Sequence, residues 1–134
     1  MANPRKQAQN PDGVAPPLKS YYSNAVRVEA GPLLFIAGQV AVAPDGTIVG
    51  PGDLRAQAEQ VLQNIGVILA ANGADFDDVV KVLVYVTDIR AFDEITDIRL
   101  KYFPQDGPAS AIIEVPALAH PDFMIEIEAV AVVG

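Results

Sequence analysis

The segment Val79–Val86 constrains the fold more than any other part of the chain. It reads Val-Val-Lys-Val-Leu-Val-Tyr-Val, and Lys81 is its only charged residue. Apolar and mostly β-branched side chains therefore point to both sides of an extended backbone, which is typical of a central strand covered on both faces. A sheet built around this strand must bury both of its surfaces.

The flanking segments predict a sheet with two helices. Alternating or continuous apolar runs indicate strands at 25–29, 33–42, 109–115 and 123–133, and helical spacing indicates helices at 53–72 and 91–103. The Gly31-Pro32 turn predicts that the first two strands form a β-hairpin. One stripe of the first helix is apolar: Leu54, Ala58, Val61, Leu62, Ile65 and Leu69. Its glutamines, Gln57, Gln60 and Gln63, are expected off that stripe.

The resulting order, β-β-α-β-α-β-β, leaves one face of the sheet open. Two helices cover one face of such a sheet but not both. The second face would be a large exposed apolar patch on a single chain. Self-association through this face is the physical solution that we predict, unless a further helix was missed.

Length and composition indicate one small domain. Residues 19–134 are expected to form it, and the polar, Pro-rich residues 1–18 are expected to be a flexible or extended tail. No apolar run approaches the roughly 20 residues of a membrane span. The start of the chain also lacks the apolar segment of a signal peptide, so the expected location is cytoplasmic.

The composition argues against several classes of function. The chain has no cysteine and a single histidine, His120, which excludes thiolate chemistry and makes a His-based metal site or triad improbable. The formal net charge of −8 argues against nucleic acid as a partner.

Polar and small residues near strand ends mark a candidate site. Gly38 interrupts an apolar strand, where a glycine often allows close approach of another group. Glu126 and Glu128 share one face of the last strand because the side-chain period is two. Carboxylates in an otherwise apolar strand need a partner, a water molecule or a function.

Taken together, these segments resemble the Rid (YjgF-like reactive intermediate deaminase, endoribonuclease L-PSP-like) family from about Ser20 to Val132. The matching pieces are Tyr22–Val28, Leu34–Gln39, Gln57–Gly73, Asp78–Lys81, Val86–Asp88, Pro108-Ala109, Glu114-Val115 and Ile125–Ala129. Each piece is weak alone, but their order and spacing are specific. The resemblance implies an α+β fold similar to that of bacillus-type chorismate mutase, with a mixed sheet, two helices on one face and assembly as a trimeric barrel.

The resemblance also implies an activity. It is the hydrolysis of reactive imines and enamines in clefts between subunits of a homotrimer, without a metal or organic cofactor. The implied catalytic residues are Glu126, which is associated with the catalytic water, and Tyr22. The implied substrate-binding positions are Gly38, Ala37, Ser110, Thr96 and Ile112.

Position 110 departs from the family pattern. A carboxylate-binding arginine is expected two residues after Pro108, and the chain has Ser110 there. Serine lacks the positive charge and the bidentate fork of arginine. We therefore expect ordinary 2-imino acids to be poor substrates, unless Arg27 or Arg99 supplies the charge from another direction.

Two other functions stay open. A non-catalytic trimer that binds a small ligand would also fit Ser110 and Ala37. A ribonuclease is disfavoured by the acidic balance and the lone histidine, because RNA cleavage usually relies on basic groups and acid-base histidines. Glu114, Glu128 and His120 are expected to have mainly structural roles.

Overall fold

The structure, a computed structural model, describes residues 3–134. Its regular elements are β1 (Lys6–Gln9), β2 (Ala25–Val28), β3 (Leu33–Gln39), α1 (Leu54–Ala71), β4 (Val79–Val86), α2 (Thr96–Tyr102), β5 (Ala109–Glu114) and β6 (Ile125–Val132). Two 3-10 segments, Phe76–Asp78 and Ile89–Ile95, precede β4 and α2.

The main sheet has the strand order β3-β6-β4-β5. Strand β4 runs parallel to β5 and antiparallel to β6, and β6 runs antiparallel to β3. The predicted α+β class, with a mixed sheet and two α-helices, is therefore confirmed. The predominantly apolar segment Val79–Val86 lies inside the sheet, between β6 and β5, as its composition predicts.

The predicted hairpin between the strands at 25–29 and 33–42, which correspond to β2 and β3, is wrong. Strand β2 pairs with β1, with Gln7 opposite Arg27, and β3 pairs with β6. The Gly31 turn is real, with a φ of 110°. However, β1 occupies the hydrogen-bonding edge of β2, and its polar sequence carries no strand signal. Part of the predicted tail is thus extended and paired, while the division at residue 18 stays a prediction.

Helix α1 begins and ends where its caps indicate. The Asp53 carboxylate accepts a hydrogen bond from the Ala56 N–H at 3.0 Å. Gly73 follows the helix with a φ of 67°, a conformation that favours glycine. The second helix differs from the prediction, since residues 89–95 are 3-10 and α-helical geometry begins only at Thr96.

Gln57 does not lie off the buried stripe as expected. It has no exposed surface, and its amide nitrogen donates to the carbonyls of Gly50 at 3.2 Å and Asp122 at 2.7 Å. Its amide oxygen accepts from the Met124 N–H at 2.8 Å. Gln57 thereby ties α1 to the loop that leads into β6.

The face of the sheet that the helices leave open carries a mixed surface. Side chains on the helix-covered face of β6 are buried, whereas Glu126, Glu128 and Val130 on its other face are only half-buried. Phe35 is 73% exposed and Ile113 is 42% exposed on this open face. We define the open face by Phe35, Lys81, Leu83, Tyr85, Ile113, Glu126, Glu128 and Val130.

No helix within residues 3–134 is long and apolar enough to cross a membrane.

Candidate functional site

The segment that carries Tyr22 is fixed against the start of β5. The Ser23 N–H donates to the Pro108 carbonyl at 3.1 Å. A Cβ added to Gly107 would overlap the backbone carbonyl of Tyr21, so the two chain segments can approach this closely only with glycine at 107. This contact brings two of the sequence-predicted regions together.

A cleft of about 370 Å³ lies beside this contact. We call it the β5 cleft. Its lining includes three predicted site residues, Tyr22, Ser110 and Ile112. Tyr21, Phe92 and Arg99 also line the cleft.

Arg99 is the most unusual group in the β5 cleft. It is only 5% exposed, and its Nη2 donates to the Ser110 Oγ at 2.8 Å. Its guanidinium carbon lies 4.0 Å from the centre of the Tyr21 ring, a cation–π distance. Burial lowers the pKa of Arg99, while Tyr21 and Tyr22 oppose that change. The sequence identified Arg99 only as a possible source of charge, because the contact with Ser110 depends on the packing of α2 against β5.

Tyr22 lines the same cleft and is half-buried. Its hydroxyl oxygen accepts a hydrogen bond from the Leu18 N–H at 3.1 Å. A tyrosine hydroxyl that accepts one bond still has a proton to donate. Tyr22 can therefore donate a hydrogen bond to a ligand in the cleft.

Gly38 and Glu126 meet at a second place. A Cβ added to Gly38 would overlap the Glu126 carboxylate, so this contact requires glycine. It lies where the pairing of β3 with β6 becomes irregular, between Ile36 and Gln39. Ala37 is exposed next to it and lines a separate hollow on the open face.

Glu126 shares its part of the open face with Tyr85 and Glu128. The Tyr85 hydroxyl lies 3.5 Å from Glu128 Oε1. Desolvation raises the pKa of Tyr85, and the nearby charges of Glu128 and Glu126 raise it further. This group can hold a proton close to two carboxylates.

Within one chain, Glu126 and Ser110 lie on opposite faces of the sheet. Glu126 is opposite Tyr85, and Tyr85 is opposite Ile113, so these three side chains share the open face. Ser110 precedes Ile113 by an odd number of residues and therefore points to the other face. The chain brings Tyr22, Ser110 and Ile112 together, and Gly38 with Glu126, but it keeps the two groups apart.

The remaining candidate residues lie outside the β5 cleft. Thr96 is the half-buried first residue of α2 and is not among the residues that line the cleft. Glu114 accepts a hydrogen bond from the Ile89 N–H at 3.1 Å, and His120 Nδ1 accepts one from the Asp122 N–H at 3.0 Å. Both side chains thus accept backbone hydrogen bonds, the first across 25 residues of chain and the second across two. Among residues 3–134, no group of three or more histidine or acidic side chains is arranged to hold a metal ion.

Known proteins are similar to this chain in sequence over most of its length. The endoribonuclease L-PSP family matches residues 13–133. The protein DfrA from Myxococcus xanthus is 37% identical over 92% of this chain and 90% of its own length. The bovine 2-iminobutanoate/2-iminopropanoate deaminase is 40% identical over 90% of this chain and 85% of its own length.

A solved structure extends the similarity to the fold. It is YyfB, a protein of unknown function of the conserved Rid family from Yersinia pestis. It has a TM-score of 0.90 and 36% identity, and the match covers 96% of this chain and 99% of YyfB. The chain belongs to the Rid (YjgF-like, endoribonuclease L-PSP) family.

Proposed function

We propose that the chain is a cofactor-free hydrolase that cleaves the C–N bond of small imines or enamines. The observation that supports it most is the β5 cleft, which brings together Tyr22, Ser110 and Ile112. Relatives at about 40% identity are named as deaminases of 2-iminobutanoate and 2-iminopropanoate, which are imines.

The reaction needs an activated water and a proton for the departing nitrogen. Water adds to the carbon of the C=N bond and the resulting amine leaves as ammonia, so that the imine becomes a carbonyl compound. In our proposal Glu126 takes a proton from water and passes it to the nitrogen as the carbinolamine forms. It then takes the hydroxyl proton of the carbinolamine and passes it to the nitrogen as ammonia leaves, while Tyr22 donates a hydrogen bond to the substrate. Gly38 leaves room for the Glu126 carboxylate, because any side chain at position 38 would displace it.

The active site requires more than one copy of the chain. Glu126 lies on the open face and Tyr22 lines the β5 cleft, so they act on one substrate only if two copies contribute. The open face supports this arrangement, because it exposes Phe35 and Ile113. We propose a homotrimer in which the open faces turn inward and each β5 cleft receives Glu126 from a neighbour.

Mixing two inactive variants tests both the residues and the assembly. We expect Glu126→Gln and Tyr22→Phe each to lose most activity, measured as ammonia released from a panel of imines generated in situ. Trimers refolded from an equal mixture should regain activity in about a quarter of their sites, because only those sites combine an intact Tyr22 with an intact neighbouring Glu126. Glu29→Gln, an exposed carboxylate paired with Arg27, is the matched control.

Two results would overturn this proposal. No recovery in the mixture would mean that Tyr22 and Glu126 of the same chain act together, because no chain in the mixture contains both. A folded monomer in light scattering at micromolar concentration would remove the shared site altogether.

The substrate is proposed not to be an ordinary 2-imino acid. Ser110 lacks the charge and fork that hold a carboxylate next to the C=N carbon. We expect ammonia release from 2-iminopropanoate to be weak or absent, and Ser110→Arg to introduce some of it. Turnover of 2-iminopropanoate as fast as that of the bovine deaminase would refute this expectation.

The second candidate function is non-catalytic binding of a small ligand. Ser110 and Ala37 favour it, since Ser110 lacks the charge of the family's arginine and Ala37 stands where the family often has serine. A binder would release no ammonia from any imine, and Glu126→Gln would leave its ligand affinity unchanged. The ammonia assay on the wild-type protein therefore separates the two functions.

A further inference from the structure

We propose that Arg99 is the anion-binding group of the β5 cleft, and that the ligand carries a carboxylate which Arg99 holds beside Ser110. This inference names the substrate class of the proposed hydrolase, and its relevance to catalysis rests on that proposed function. The anion site itself can be tested without turnover.

The first argument is the unbalanced charge. Arg99 is only 5% exposed. Within residues 3–134, none of the side-chain ion pairs involves it, whereas Arg27, Arg55 and Arg90 each pair with a carboxylate. A buried charge without a counter-ion is unfavourable. The neighbours that Arg99 does contact, the Ser110 hydroxyl and the Tyr21 ring, are neutral.

The second argument is the geometry of the guanidinium. Its face is occupied by the Tyr21 ring and its Nη2 by the Ser110 Oγ. A guanidinium has further N–H donors in a fixed plane, and this fork matches the two oxygens of a carboxylate. The stacking on Tyr21 restricts the plane of the fork, so little ordering is needed when a carboxylate binds.

The third argument is the cleft. Arg99 lines it together with Tyr22 and Ser110, which can donate or share hydrogen bonds with the same anion. Lys19 adds a second positive charge to the lining and Asp93 a negative one. Neither forms an ion pair with Arg99, so the guanidinium is the buried charge available to a ligand within the part of the chain described.

The position of the Arg99 guanidinium limits which imines can bind in the β5 cleft. An arginine at position 110 would project from β5 into the cleft, whereas Arg99 approaches from α2 and holds its charge at the level of the Ser110 hydroxyl. A carboxylate bound there lies close to the strand. We therefore infer imines in which at least one further carbon separates the carboxylate from the C=N carbon.

A matched acid and amide provide the test. Butanoate and butanamide have similar shape and differ in charge, and their binding is followed by amide chemical shifts of the ¹⁵N-labelled full chain. We expect butanoate to bind at least about tenfold more tightly, with shifts at Tyr22 and Ser110. Arg99→Gln should remove this preference, and Arg90→Gln, an exposed arginine outside the cleft, should keep it.

The wild-type comparison decides the question even if Arg99→Gln does not fold. Equal affinity of the wild-type protein for butanoate and butanamide would overturn the proposal, as would an unchanged preference in a folded Arg99→Gln variant. Binding of butanoate through Arg99 without turnover of any imine would refute the hydrolase and leave the anion site standing. Imine turnover that depends on Glu126, together with equal binding of butanoate and butanamide, would refute only the anion site.

Discussion

Truncation of Gln57 to alanine should destabilise the protein far more than truncation of any exposed glutamine. The side chain makes three hydrogen bonds, to the Gly50 and Asp122 carbonyls and from the Met124 N–H. The Gly50 carbonyl keeps a second partner, the Asp53 N–H at 2.8 Å. Alanine therefore leaves two part-buried backbone groups, the Asp122 carbonyl and the Met124 N–H, without their side-chain partner.

The expected loss follows from these two groups. Each buried polar group that loses its partner costs about 1–3 kcal/mol, so Gln57→Ala should lower the free energy of unfolding by about 2–6 kcal/mol. A domain of this size is stable by only about 5–15 kcal/mol. The change should therefore be readily measured by urea unfolding at fixed protein concentration, because the proposed self-association would add to the apparent stability.

The control lies on the same helix. Gln63 is exposed, so Gln63→Ala should change the free energy of unfolding by less than about 0.5 kcal/mol. If Gln57→Ala and Gln63→Ala had the same small effect, the bonds to the loop before β6 would not be stabilising, and our account of how that loop is held would be wrong.

Three further predictions concern single sites. Gly38→Ala should displace the Glu126 carboxylate, because the new methyl overlaps it, and imine turnover should fall while the free energy of unfolding changes little, since the carboxylate is the free end of a flexible side chain. The pKa of Asp97 is held at about 2 by its hydrogen bonds and charge interaction with Arg55, and a carboxyl NMR titration should find it there and find it raised in Arg55→Gln. Because this folded-state pKa lies below the unfolded one, the stabilisation is present above about pH 4 and is lost as the pH falls towards 2. Desolvation raises the pKa of Tyr102 to about 12, so the ultraviolet difference between the wild type and Tyr102→Phe should show an ionisation well above the usual value, and an ordinary tyrosine titration would contradict the burial of that hydroxyl.

The predictions from sequence succeeded where the signal was local. The apolar run Val79–Val86 became a strand between two others, and Asp53 capped the helix that the apolar stripe predicted. Motif order identified the family and pointed to Tyr22 and Ser110, which the fold places in one cleft. The roles of these residues in catalysis and binding are still predictions.

The failures have a common cause, since each depends on a partner far away in the chain. Strand β1 is polar, so only its pairing with β2 makes it a strand. Gln57 looks like a surface residue on a helical wheel, and it is buried because the loops around Gly50 and Asp122 close over it.

The class of the fold can be predicted from the sequence alone, because β-branched residues on both sides of a strand and two amphipathic helices are local properties of the chain. The sequence also predicts that one face of the sheet lacks a helix. Which polar and charged groups meet follows only from the folded chain, because the face on which a residue lies and its neighbours depend on strand register and helix packing. Register puts Glu126 and Ser110 on opposite faces, and the packing of α2 against β5 puts the Arg99 guanidinium on Ser110.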